Sequence, residues 1–211
     1  MEIKGLHVAI VHRRFALGGA EEVSRQTACL FSDLGIHTHF FAETHIETEW
    51  TLPADSLIDL CLLPQGMRLW TQESALYLVH AFKERGVKVL IIPIALRNDY
   101  LPLIQSAGVK IIYWCHSSPL WELIDRRERA SYKAHHPWYK NLYSLTLRRL
   151  RLTLSSAENL RTRYRDLVRQ VDCFITLTPE YVQEFVSALG LNDEEISLLA
   201  NFQTTDLICH S

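Results

Sequence analysis

The chain has 211 residues and a mass of 24.4 kDa, the size of one large domain. It is 48% hydrophobic and 22% charged, with only 8 Gly and 7 Pro, a composition that excludes disordered, collagen-like and coiled-coil chains. A net charge of −2 excludes a general nucleic-acid binder, yet residues 121–170 hold twelve Arg/Lys against five Asp/Glu, so the remainder is acidic.

The elements are read in chain order from hydrophobic periodicity. His7–His12 (HVAIVH) is a buried strand, and Gly18-Gly19 then open a helix over Ala20–Leu34. That helix carries an apolar stripe of Val23, Ala28, Leu30, Phe31 and Leu34 and is stopped by Gly35. Strands follow at His37–Ala42 and Leu57–Leu63. A second helix over Thr71–Arg85 is capped by Thr71, has Glu73 in its first turn and ends at Gly86. Val87–Ala95 is strand-like, Leu101–Ala107 a short helix and Val109–Cys115 a strand. A long, basic, mostly helical region occupies about 120–170. Cys173–Leu177 is a strand, Pro179–Leu189 a helix with Thr178 before it, and Ile196–Ala200 a last strand.

Strands alternating with helices of this length imply right-handed crossovers, and near-continuous apolar strands imply burial on both faces. The expected fold is α/β: a doubly wound, mostly parallel, Rossmann-like sheet of about seven strands with helices on both faces. Ligands of such sheets bind beyond the C-terminal ends of the strands, so the turns there are the places to search.

After the first strand comes His12-Arg13-Arg14-Phe15-Ala16-Leu17-Gly18-Gly19-Ala20-Glu21. Two glycines at a helix start fit a phosphate held by free N–H groups and the helix dipole; they equally fit a tight strand-to-helix turn. The segment is neither a GxGxxG fingerprint nor a Walker A loop. After Val109–Cys115 comes His116-Ser117-Ser118-Pro119, which sets His116 at the end of a buried strand, either facing a substrate or serving the structure. His37 and His39 have a spacing that suits a metal, but no Cys or carboxylate stands beside them in sequence, and adjacent His135-His136 suit one ion poorly, so no metal site is assigned. The five cysteines (29, 61, 115, 173, 209) show no CxxC spacing; three lie in apolar stretches and are expected as buried thiols of a reducing cytoplasm. No apolar run reaches the roughly 20 residues of a membrane span, and Met1-Glu-Ile-Lys-Gly lacks the layout of a signal peptide.

Taken together, these stations resemble the N-terminal half of a family-4 retaining glycosyltransferase of the two-domain GT-B architecture. The resemblance is carried by the Gly18-Gly19-Ala20-Glu21 helix opening, by His116 after an apolar strand and by Asp172–Thr178 leading into a helix and Gly190-Leu191. Glu195-Ile-Ser-Leu-Leu-Ala-Asn201 completes it, with Phe202 where the family usually has Gly. It implies transfer of a sugar from a nucleotide-sugar donor to a glycan or lipid-linked acceptor without a metal or other cofactor. Carried over, Gly18, Gly19 and Ala20 would form the donor-diphosphate loop and His116 would act at the reaction centre. Arg13, Arg14 and Ser117 are acceptor-side candidates.

The family's donor-binding domain, with its paired glutamates, has no counterpart in these residues. Residues 1–200 are therefore expected as the N-terminal domain and 201–211 as the start of a linker, with the isolated chain inactive. In the basic region Trp121, Trp138, Tyr139 and Tyr143 mingle with Arg148, Arg149 and Arg151, as at an anionic membrane surface; a solvated insertion fits as well. The expected setting is the cytoplasm, including its membrane face. Competing functions are a non-catalytic glycan or nucleotide-sugar binding module and an NAD(P)-dependent reductase. The reductase lacks GxGxxG and a Tyr-xxx-Lys pair, and a hydrolase would want GxSxG.

Overall fold

A computed structural model describes residues 4–16, 18–46, 52–53, 56–93, 98–118, 120–122, 137–148, 157–191 and 196–198. Seven strands, β1 (His7–Phe15), β2 (His37–His45), β3 (Ile58–Leu62), β4 (Val89–Ile92), β5 (Lys110–Cys115), β6 (Cys173–Thr176) and β7 (Ser197–Leu198), form one sheet. Their order is β3-β2-β1-β4-β5-β6-β7 and every pairing is parallel. The helices are α1 (Gly19–Asp33), α2 (Gln72–Arg85), α3 (Leu101–Gln105), α4 (Trp138–Tyr143), α5 (Ala157–Gln170) and α6 (Pro179–Leu189). A π-type turn, Ser144–Arg148, continues α4.

Strand alternation divides the core into two layers. Val8 and Ile10 of β1 pack with Phe40, Trp114 and Ala28 of α1. Their neighbours Ala9 and Val11 face the other way, with Phe41, Leu78 and Phe82 of α2, Ile104 of α3, Leu167 of α5 and Phe185 of α6. Helices therefore lie on both faces, as expected of parallel strands that are buried twice. The α1 stripe is only partly right: Ser24 and Ala28 are buried, whereas Leu30 and Leu34 are exposed.

The helix ends follow their local chemistry. Thr71 and Ser74 form a capping box at the start of α2, and Gly86 ends it in the left-handed region at φ 65°. The Thr178 hydroxyl accepts from the Tyr181 N–H at the start of α6, with Pro179 in the first turn. Helix α1 differs: its cap is Gly18, and no side chain caps it.

The strand lengths open the crevice. β1 runs three residues beyond its expected end because Arg14 and Phe15 pair with Thr44 and His45 of β2. On its other side, pairing with β4 stops at Ile10↔Ile91. The sheet changes winding direction between these two strands, so the last turn of β1 borders the switch-point crevice where doubly wound folds take ligands.

Candidate functional site

His12 lies on β1 just before that extension and is wholly buried. Its Nε2 is 2.9 Å from Ser24 Oγ on α1. Its Nδ1 is buried without a hydrogen-bond partner, and the closest acidic atom, Glu21 Oε1, is 3.9 Å away, too far to bond. Burial, aided by nearby His116, pulls the imidazole down to about 4, so His12 is neutral at pH 7 and its 3.9 Å approach to Glu21 is not an ion pair.

His116 follows β5. Its ring packs on Trp114 with centroids 4.6 Å apart, and its Nε2 is also buried without a partner. Burial lowers it to about 4 as well. Trp114 Nε1, on the same face, is a third buried nitrogen without a partner. Buried polar atoms are nearly always bonded, so three orphans at one end of one sheet face mark a place built for a polar ligand or for water.

The start of α1 adds donors. The first N–H groups of a helix have no internal partners, and no side chain supplies one here. Gly18 has extended backbone (φ −167°, ψ 158°), which any residue adopts. A Cβ there would sit 2.2 Å from Glu21 Oε2, the far end of a flexible side chain. The Glu21 carboxylate lies in the volume that a side chain at Gly18 would enter. At Gly19 a Cβ would meet nothing within 4 Å.

Glu21, His12 and Ser24 stand in the carboxylate–imidazole–hydroxyl order of a hydrolytic triad. Ser24 is fully buried on α1, however, so no substrate reaches its oxygen. Its hydroxyl fixes the His12 ring instead.

The turn that carries His116 is anchored from behind. Glu122 Oε1 accepts from the Tyr164 hydroxyl of α5 at 2.9 Å. Leu120 is held at φ 59°, a left-handed conformation that a bulky residue adopts only where its surroundings impose it. Within the turn the Cys115 thiol donates to the Ser117 carbonyl at 3.4 Å, and burial pushes that thiol up, away from reactivity.

Of the expected site residues, Gly18, Gly19, Ala20 and His116 come to the same end of the sheet. Arg13 and Arg14 lie on β1 rather than on a loop; Arg13 Nε is 3.5 Å from Glu43 Oε2 and its side chain is 69% exposed. Sequence reasoning missed His12, Glu21, Ser24 and Trp114. The only available signal was His12 itself, a polar residue closing an otherwise apolar strand.

The opposite end of the sheet corrects one expectation. His39 has a carboxylate beside it, with Nδ1 3.0 Å from Asp59 Oδ2, although the angle is poor for a hydrogen bond. His7 Nδ1 is 2.9 Å from His39 Nε2, and the His7 ring stacks on His37 at 4.6 Å. Even so, no group of three or more His, Cys, Asp or Glu among the described residues could hold a metal ion. The cysteine expectation also needs correction: of the four described, only Cys115 is buried, and Cys29, Cys61 and Cys173 are half-buried. Cys209, His135 and His136 lie outside the described residues, as do Arg149, Arg151 and Phe202.

In the basic region, Trp138 is 77% exposed, and Tyr139, Leu142, Tyr143 and Leu147 are exposed beside it. Among the described residues no helix is long and apolar enough to cross a membrane.

No protein-family model and no curated protein sequence matches the chain. Solved structures do. The crystal structure of WaaG, a glycosyltransferase involved in lipopolysaccharide biosynthesis, matches with a TM-score of 0.50 and 15% identity over 91% of this chain and 44% of WaaG. The C-terminal domain of the coenzyme A biosynthesis bifunctional protein CoaBC gives 0.39 and 10% over 60% of this chain and 72% of that one. An O-GlcNAc transferase mutant from Thermobaculum terrenum gives 0.37 and 9% over 98% of this chain and 46% of that one. The chain thus spans less than half the length of WaaG. At these identities the likeness is one of fold: a Rossmann-like domain of the kind found in GT-B glycosyltransferases.

Proposed function

We propose that the chain is the acceptor-side half of a retaining glycosyltransferase that moves a sugar from a nucleotide-sugar donor to a glycan or lipid-linked acceptor. One observation carries this reading: the uncapped start of α1 and the buried, unpartnered nitrogens of His12 and His116 lie at the same, switch-point end of the sheet. As the bond from sugar to diphosphate breaks, negative charge grows on the leaving group, and fixed N–H dipoles stabilise that charge without reorganising. The Gly19 and Ala20 amides are suited to this. A neutral His116 can accept from a sugar hydroxyl or donate to a phosphoryl oxygen, which a protonated ring could not do both ways. A second, donor-binding domain would supply the rest of the site. The fold likeness to WaaG, a glycosyltransferase, is consistent with this class of reaction.

In the complete enzyme His116→Ala is expected to lower turnover more than about tenfold, a loss of about 1.4 kcal/mol of transition-state stabilisation, measured by steady-state kinetics. Unchanged kinetics would give His116 a structural role and remove the main support. We also propose that the exposed aromatic face of α4, with Lys140 among its rings, meets an anionic membrane surface on the cytoplasmic side. Flotation with liposomes should then depend on anionic lipid and weaken in Trp138→Ala; flotation indifferent to lipid charge would rule this out.

A further inference from the structure

We propose that the Glu21 carboxylate is a resident anion at the mouth of α1, which a ligand's phosphoryl group must displace, so that Glu21 sets how selectively that site takes anions. The inference rests on the phosphate-facing role given to α1 above. Three observations place the carboxylate there. Its Oε2 occupies the space beside Gly18 where a Cβ would sit, at 2.2 Å from the ideal Cβ position. Its Oε1 is the acidic atom nearest the buried, unpartnered Nδ1 of His12, at 3.9 Å. The helix start it overlies has no side-chain cap. Glu21 thus sits between two sets of donors without bonding to either, which is where a phosphoryl oxygen would accept from both.

A helix N-terminus attracts an anion, and Glu21 is the one that the sequence provides. At 3.9 Å the carboxylate is near enough to favour the His12 proton on Nδ1, which turns that proton towards the helix mouth and leaves Nε2 to accept from Ser24. A phosphoryl group arriving at this point would stand within a few ångströms of the carboxylate, and two like charges at that separation repel strongly in a half-buried site. Glu21 must therefore swing away, and its side chain, 25% exposed and without a hydrogen bond among the described residues, can do so. A weakly bound anion such as free phosphate cannot offset that displacement, whereas a diphosphate with further contacts can. The device selects ligands that are anchored elsewhere as well.

The test is calorimetric titration of the 211-residue chain with inorganic pyrophosphate at fixed ionic strength, comparing wild type, Glu21→Gln and Glu21→Ala. Glutamine keeps the shape and removes the charge, and thermal melts establish that all three proteins are folded. Both variants are expected to bind pyrophosphate at least about tenfold more tightly than wild type. Equal or weaker binding by the variants overturns the inference. Failure of all three proteins to bind overturns it together with the phosphate site itself. Tighter binding by the variants, combined with a complete protein that transfers no sugar, would keep the gate and reject the transferase reading. A complete enzyme that transfers sugar, with Glu21→Gln indifferent to pyrophosphate, would do the reverse.

Discussion

The two ends of one sheet treat histidine in opposite ways. At the N-terminal ends of the strands His7 Nδ1 and His39 Nε2 bond to each other, and the remaining His39 nitrogen, Nδ1, lies 3.0 Å from the Asp59 carboxylate without hydrogen-bond geometry. At the C-terminal ends His12 bonds to Ser24 rather than to a second imidazole, and His12 and His116 each keep a buried nitrogen without a partner. Burial alone does not distinguish them, because it lowers the imidazoles at both ends. The difference is what stands beside the open nitrogen. A carboxylate lies 3.0 Å from His39 Nδ1, whereas at the crevice the Glu21 carboxylate is 3.9 Å from His12 Nδ1.

The largest expected effect is on stability in acid. His12 titrates near 4 in the folded chain, whereas a free imidazole titrates near 6.5. As pH falls below 6.5 the unfolded chain binds a proton that the native ring refuses, so stability is lost between about pH 6.5 and 4 and is fully present above that window. For the fully buried His12 the loss is of the order of 3 kcal/mol. His116 adds a smaller loss of the same sign, because part of its ring is exposed. Urea denaturation at pH 7.5 and 4.5 should show this fall, and His12→Leu should flatten it. An acid limb unchanged in His12→Leu would mean that the ring is hydrated in the native state and that the contrast between the two ends is false.

Much of the fold was legible in the sequence because parallel strands buried on both faces read as apolar runs and because caps such as Thr71 and Thr178 act locally. The length of β1 was not. Arg13 and Arg14 look like loop residues, and only pairing with β2 makes them strand. The exposure of Leu30 and Leu34 was hidden for a similar reason, since an apolar stripe does not say which of its members the sheet will reach. In the site, the Glu21 carboxylate beside Gly18 was not legible: Gly18 has ordinary extended backbone, and the carboxylate lies where its Cβ would point. His12 and Ser24, twelve residues apart, meet through the strand–turn–helix geometry, which no local pattern records.

The second effect concerns that meeting. Replacing one partner of a buried hydrogen bond strands the other, at about 1–3 kcal/mol, whereas replacing both with apolar groups is nearly neutral or stabilising. Ser24→Ala alone leaves both His12 nitrogens unpartnered, and His12→Leu alone leaves the Ser24 hydroxyl buried. Each single variant should lose about 1 kcal/mol at pH 7.5, and the double variant should recover to wild-type stability or better. The double variant should at the same time lose affinity for pyrophosphate. Additive losses in the cycle would mean that His12 and Ser24 do not act as a unit.

The smallest effect tests the paired cluster. Asp59 is 65% exposed at its side chain and lies beside an imidazole that is neutral at pH 7, so it should contribute less than about 1 kcal/mol. Its influence is on titration. Burial lowers His39 most, the Asp59 carboxylate works against that burial, and both His7 and Arg85 oppose the carboxylate. Asp59→Asn removes the upward pull, so His39 should titrate lower still by NMR, and the His7 ring, which Asp59 also raises, should move the same way. A lower native value makes the folded chain refuse protons more firmly, which steepens the acid limb slightly and leaves stability above pH 6.5 almost unchanged. Pyrophosphate affinity should not move at all, because Asp59 sits at the far ends of the strands from His12. Any change in that affinity would show that the two ends communicate through the sheet.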